Sequence, residues 1–275
     1  MNVVINSCID TVPEGSLPIP NQSHYYHHIL SCLGYPLLTP PVADLLRKWH
    51  GLDGVWLVVS PIHWQATHND AMIVAAGEDL QLTELEGHQW FEAFAEFVSA
   101  ETMRVHYHDA STWLIQLSEH PIITAQPVQT MLHQSMMPHL DGMDHTFFWQ
   151  RFMTESQMFL SNHALNTSRI GRYSINGLWI WGGGVLQTRS KCTIVVDNQH
   201  AFSLATLLSL NVSFYSAERI YPRDALVLWS DLSRLKALQA KLTKQTVSWY
   251  WNNCTYQTKP KHWLKRLWSS KHHAD

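Results

Sequence analysis

Two histidines and a glutamate carry side chains that move protons or hold divalent metals, and three glycines follow within a short stretch of chain. His63 comes after a proline at the end of an apolar run, while Glu155 and His163 lie within one long helical pattern. Between Ser174 and Gly184 the sequence reads SINGLWIWGGG, which puts Trp179 and Trp181 at period two on one face of a strand. Gly182, Gly183 and Gly184 then bring backbone amides of the kind that bind phosphate or carboxylate. Tryptophan supplies an apolar wall, and Asn166, Arg169 and Asn176 add polar groups. The expected ligand is a small anionic or phosphorylated metabolite. The same residues also suit a hydrogen-bonded core and a tight corner, because glycine adopts conformations closed to other residues. A weaker metal candidate is His106 with His108, whose strand spacing sends both imidazoles to one face beside Asp109.

Positioning these groups requires elements that the pattern supplies in part. Residues 1–40, rich in Pro, Ser and His, are expected as an irregular arm with a short helix around His24–Cys32. Pro40-Pro41 opens a helix through Val42, Leu45, Leu46 and Trp49. Val55–Val59 and Ala71–Ala76 read as strands, and Thr83 with Glu86 as a capping box before a helix carrying Trp90 and Phe94. Met103–His108 and Thr112–Leu117 suit paired strands. Asp144 is placed to cap a helix running from about His145 to Arg169. At about 100° per residue, Arg151, Glu155, Asn162, Asn166 and Arg169 form one polar stripe on that helix. The last third alternates strand and helix, which points to an α/β or α+β class with a mixed central sheet flanked by helices. The expected organisation is the arm followed by one globular domain over 41–275.

Composition excludes several classes. A formal charge of −3 gives no broad attraction for nucleic acid. No run reaches the ~18 apolar residues of a bilayer span, and the N-terminus has no secretion signal. The four cysteines are scattered without a CxxC pair, as expected of reduced thiols in the cytoplasm. The segment 259–268 is basic, aromatic and amphipathic, suited to a terminal helix docked on the core or to contact with a protein or membrane surface.

Four stretches carry a resemblance to a bacterial family labelled RpfE-type regulatory proteins or predicted cofactor-independent phosphoglycerate mutases of the alkaline phosphatase superfamily. Val58–His63 resembles the family's Ala-Asp-Pro-Val-His element, and Glu155–Met158 with Ser161–Asn166 resembles its Glu-Ile-Gln-Met…His-Pro-Val-Asn helix. Ser174–Gly184 is similar to its Trp-Leu-Trp-Gly-Gly-Gly segment, and Trp263–Trp268 to its C-terminus. Ser60 stands where the family has Asp, Ala164 replaces a proline, and Gly177 replaces a serine. The superfamily implies two divalent metals held by Asp and His around a Ser or Thr nucleophile, a clamp for phosphoryl transfer. Here Asp10 leads into Thr-Val-Pro, and neither Asp53-Gly54 nor Asp141–His145 precedes a nucleophile arrangement. The sequence reading therefore favours a regulatory binding protein, with a metal-dependent mutase or phosphatase as the alternative.

Overall fold

The computed structural model describes residues 1–19, 24–66, 70–99, 103–117 and 119–260. The first half of the chain forms β1 (Asn2–Ile5), β2 (Leu17–Pro18), α1 (Tyr25–Cys32), α2 (Val42–Trp49), β3 (Trp56–Ala66), β4 (Ala71–Ala76), α3 (Glu84–Ser99), β5 (Val105–Asp109) and β6 (Thr112–Gln116). Then come α4 (Val128–Met131), α5 (Met137–Asp141), α6 (Phe148–Ser161), β7 (Gly177–Trp181), β8 (Ser190–Val196), α7 (Gln199–Leu208) and β9 (Ser209–Phe214). The described residues end with β10 (Leu226–Trp229), α8 (Leu235–Leu242), β11 (Val247–Tyr250) and β12 (Cys254–Thr258). The mixed α/β content matches the class expected. Among the described residues the strands gather into two sheets, and the chain divides into two units: Met1–Ile19 with Lys191–Asp275, and Pro20–Ser190.

In the first unit the strand order is β2-β12-β11-β1-β10-β8-β9. β11, β1, β10 and β8 run parallel, with β12 antiparallel to β11. Parallel strands are covered on both faces, so they read as unbroken apolar runs rather than alternation. Val3-Val4-Ile5, Ile194-Val195-Val196 and Leu226–Trp229 are such runs, all buried. Trp229, Trp249, Leu238 and Leu242 join Val3 and Ile5 in one core cluster. The expectation of an irregular arm over 1–40 is corrected at its start, since Asn2–Ile5 is a central strand. Four residues carry too little pattern to mark a strand, and the partners that fix it lie far along the chain at Leu226–Trp229 and Ser248–Tyr250.

In the second unit β3 is the spine. One edge pairs antiparallel with β7 over Val58–Ile62. Its other ladders run with β6 over Trp56–Val59 and with β4 over Ile62–Ala66, both antiparallel. Ser60 and Pro61 fall between those last two ladders, where a residue without an N–H breaks no ladder bond. Among the described residues no helix is long and apolar enough to cross a membrane. The expected C-terminal amphipathic helix falls, beyond Pro260, outside the described residues.

Candidate functional site

β7 is buried along its whole length. Trp179 donates its indole N–H to the Gln126 carbonyl at 2.8 Å, and Trp181 donates to Ser60 Oγ at 3.0 Å. The glycines that follow make a corner against α2. Gly182 holds φ +77°, and a Cβ there would stand 2.9 Å from Val58 Cγ2. Its carbonyl accepts from the Ala43 amide at 3.0 Å, satisfying a donor in the first turn of α2. Gly184, at φ +124°, abuts Pro41, and Gly183 approaches Leu57 and the Ile123 carbonyl.

The polar candidates bond elsewhere, away from the glycine corner. Asn176 accepts from the Trp64 amide at 2.9 Å and donates to the Trp64 carbonyl at 2.8 Å, continuing the β3–β7 pairing through a side chain. Asn166 donates to the Leu160 and Ile175 carbonyls and accepts from the Ile175 amide. Arg169 is buried; it donates to the Tyr173 carbonyl at 2.7 Å and pairs with Glu86 and the Leu80 carbonyl. His63 Nδ1 meets Ser174, while His163 Nδ1 accepts from the Leu165 amide at 3.3 Å. Glu155 lies exposed on α6, 3.5 Å from Arg151. No hydrogen bond or ion pair joins any two of His63, Glu155, His163 and Asn176.

The polar stripe expected through Arg169 is cut short. α6 begins at Phe148 and ends at Ser161, and Ala164–Ser168 forms a separate 3₁₀ turn capped by His163. Asp144 does bind the free amides of Phe148 and Trp149, but from further upstream, because Phe147 takes a left-handed conformation. That helix end places Asn166 in the turn and Arg169 at its C-terminal cap rather than on a helix face.

What the sequence missed is a small cavity of mixed lining beside Trp181. It measures about 30 Å³, room for roughly two waters. Ser60, Tyr26, His27, Asp109 and Gln129 line it with Trp181. His27 stacks on the Trp181 ring at 5.2 Å and 15°. Its Nε2 is buried without a hydrogen-bond partner. Burial first, then the neighbouring His24 and His28, push its pKa down to about 3, so the ring is neutral. Ser60, already accepting from Trp181, keeps its hydroxyl proton to give.

Behind the cavity runs a chain of imidazoles. Tyr26 Oη lies 2.9 Å from His108 Nε2, and His108 Nδ1 lies 2.9 Å from His50 Nε2. The His106 ring sits 4.3 Å from His50, so His106 and His108 do meet, through a third histidine. Both nitrogens of His108 are engaged in that chain, which removes it as a free metal ligand. Burial, then His106 and His108, lower the pKa of His50 to about 4. Among the described residues no group of three or more His, Cys, Asp or Glu is disposed to hold a metal. Among the described residues, therefore, no donor set fits the metal pair that the superfamily resemblance implies.

No protein-family model matches the chain, and no curated protein does. Among solved structures it is similar to the cofactor-independent phosphoglycerate mutase from Thermoplasma acidophilum DSM 1728. The identity is 12% and the TM-score 0.32, over 94% of this chain and 90% of that one. A likeness of that size carries no argument about activity.

Proposed function

We propose that the chain is a regulatory binding protein for a small metabolite, whose polar end enters the cavity beside Trp181. With this reading go membership of the RpfE-type family and a cytoplasmic setting. The observation that supports it is the cavity wall itself, to which both His27, with a buried ring nitrogen that has no partner, and Ser60, with a hydroxyl proton to give, contribute. A buried polar group left alone is costly, so an occupant that bonds to it is favoured. The lining contains Asp109 and no lysine or arginine, so a neutral hydroxyl suits it better than a phosphate or a carboxylate, and a hydroxy acid enters it by its hydroxyl end. The phosphorylated ligand suggested by the glycine run finds less support, because those glycines pack against Val58, Leu57 and Pro41.

A thermal-shift series with glycolate, lactate, inorganic phosphate and 3-phosphoglycerate tests the reading. A ligand at a hundred times its Kd adds about 2.7 kcal/mol of stability, a rise of roughly 5–10 °C for a chain of this size. The small hydroxy acids should raise Tm in the wild type and much less in His27→Phe. A rise with the phosphates alone, or an equal rise in the variant, would defeat it.

A further inference from the structure

We infer that Tyr26, His108 and His50 form a relay that reports to the half-exposed His50 whether the cavity's occupant accepts or donates a hydrogen bond. This deepens the binding reading and rests on the cavity being a ligand site.

A neutral imidazole has one nitrogen that donates and one that accepts. Because His108 has a partner at each nitrogen, 2.9 Å away on both sides, only two arrangements satisfy the chain. In one, Tyr26 donates to His108 Nε2, His108 Nδ1–H donates to His50 Nε2, and His50 carries its own proton on Nδ1. In the other, His50 Nε2–H donates to His108 Nδ1 and His108 Nε2–H donates to Tyr26 Oη. The tyrosine hydroxyl proton is then free for another acceptor, and Tyr26 is one of the residues that line the cavity. Each arrangement is a complete set of bonds, and they interconvert by exchange of protons with solvent and rotation of one hydroxyl, with no displacement of the rings.

An occupant that accepts from Tyr26 favours the second arrangement, and one that donates to it favours the first. The Asp109 carboxylate, 3.8 Å from His108 Nε2, biases the empty site toward the second. His106 packs on His50 at the far end without a bond in the chain. The tautomer of His50 thus reflects the polarity of a group it does not touch. Tyr26 and His108 are 82 positions apart and His50 and His108 are 58 apart, so three separate elements must be folded for the relay to exist.

Long-range ¹H–¹⁵N spectra of histidine-labelled protein read the tautomers directly, without any ligand. His50 and His108 should carry their protons on matching nitrogens, both Nε2 in the unliganded protein. Tyr26→Phe should change the tautomer populations of the two rings together and leave His106 as it was. Opposite tautomers in the wild type would overturn the relay, since either two protons or two lone pairs would then face each other. A change at His108 alone in the variant would overturn it as well. If Tyr26→Phe does not fold, the wild-type match or mismatch decides the matter. Because no ligand is added, failure here is separate from failure of the thermal-shift series.

Discussion

Trp181 Nε1 donates to Ser60 Oγ across the β7–β3 pairing at 3.0 Å, and this bond closes one side of the cavity. Ser60 is the residue that stands in place of the aspartate expected from the family resemblance. Its hydroxyl serves an indole rather than a metal. Ser60→Ala would leave that buried N–H alone, at a cost of about 1–3 kcal/mol. Denaturant unfolding measures the loss, and a change under about 0.5 kcal/mol would mean the indole proton has another acceptor.

The glycine corner makes a comparative prediction. Gly171 and Gly182 have nearly the same φ, +76° and +77°, but only Gly182 would bring a new Cβ against Val58. Gly171→Ala should cost about 1 kcal/mol for the left-handed conformation alone. Gly182→Ala should cost about 2–4 kcal/mol, adding overpacking to the same strain. Equal losses in the two variants would deny the close approach.

Two acidic residues divide in the same way. Glu86 holds Arg169, whose side chain is 1% exposed, and also accepts from Arg172 at 2.9 Å. Glu86→Gln strands a buried cation and should destabilise by about 3 kcal/mol. Glu155 pairs with Arg151 in water, with side chains 47% and 65% exposed. Arg151→Ala should therefore change stability by no more than about 0.5 kcal/mol. Urea midpoints of the two variants test the ranking, and a larger loss from Arg151→Ala would reverse it.

Buried neutral histidines set the response to acid. His27 has its pKa lowered to about 3 in the folded chain, against about 6.5 for an unfolded histidine. Between those values the unfolded state binds the extra proton, so stability rises with pH across that window and is lost as pH falls through it. His27→Phe keeps a ring against Trp181 and removes the titration. The variant's stability should fall less steeply between pH 6 and 4, by up to about 1.4 kcal/mol per pH unit. Parallel curves for variant and wild type would contradict a neutral buried His27.

Local pattern made much of the fold legible. Ala71–Ala76 lies where the apolar run placed it, and the alternation after Cys192 yields β8, α7, β10, α8 and β11 in order. Trp179 and Trp181 lie on one strand, as their spacing required. What escaped depends on distant partners. β1 gains its identity from strands more than two hundred residues away. α6 stops at Ser161 because the following segment turns back, Asn166 tying it to Ile175, a bond that helical periodicity cannot express. The cavity was hidden for the same reason. Tyr26, His50 and His108 belong to three elements, and neither their spacing nor their neighbours in sequence mark them as one chain of hydrogen bonds.

The claim that Trp181 walls a ligand site is tested most directly by indole ¹H–¹⁵N signals of the tryptophan-labelled protein during titration with glycolate. Of the thirteen indole signals, the one that Trp181→Phe deletes should shift to saturation. The signal of Trp179, bonded to the Gln126 carbonyl, should stay in place. A still Trp181 signal at saturating glycolate and lactate, or movement at Trp179 alone, would contradict the account.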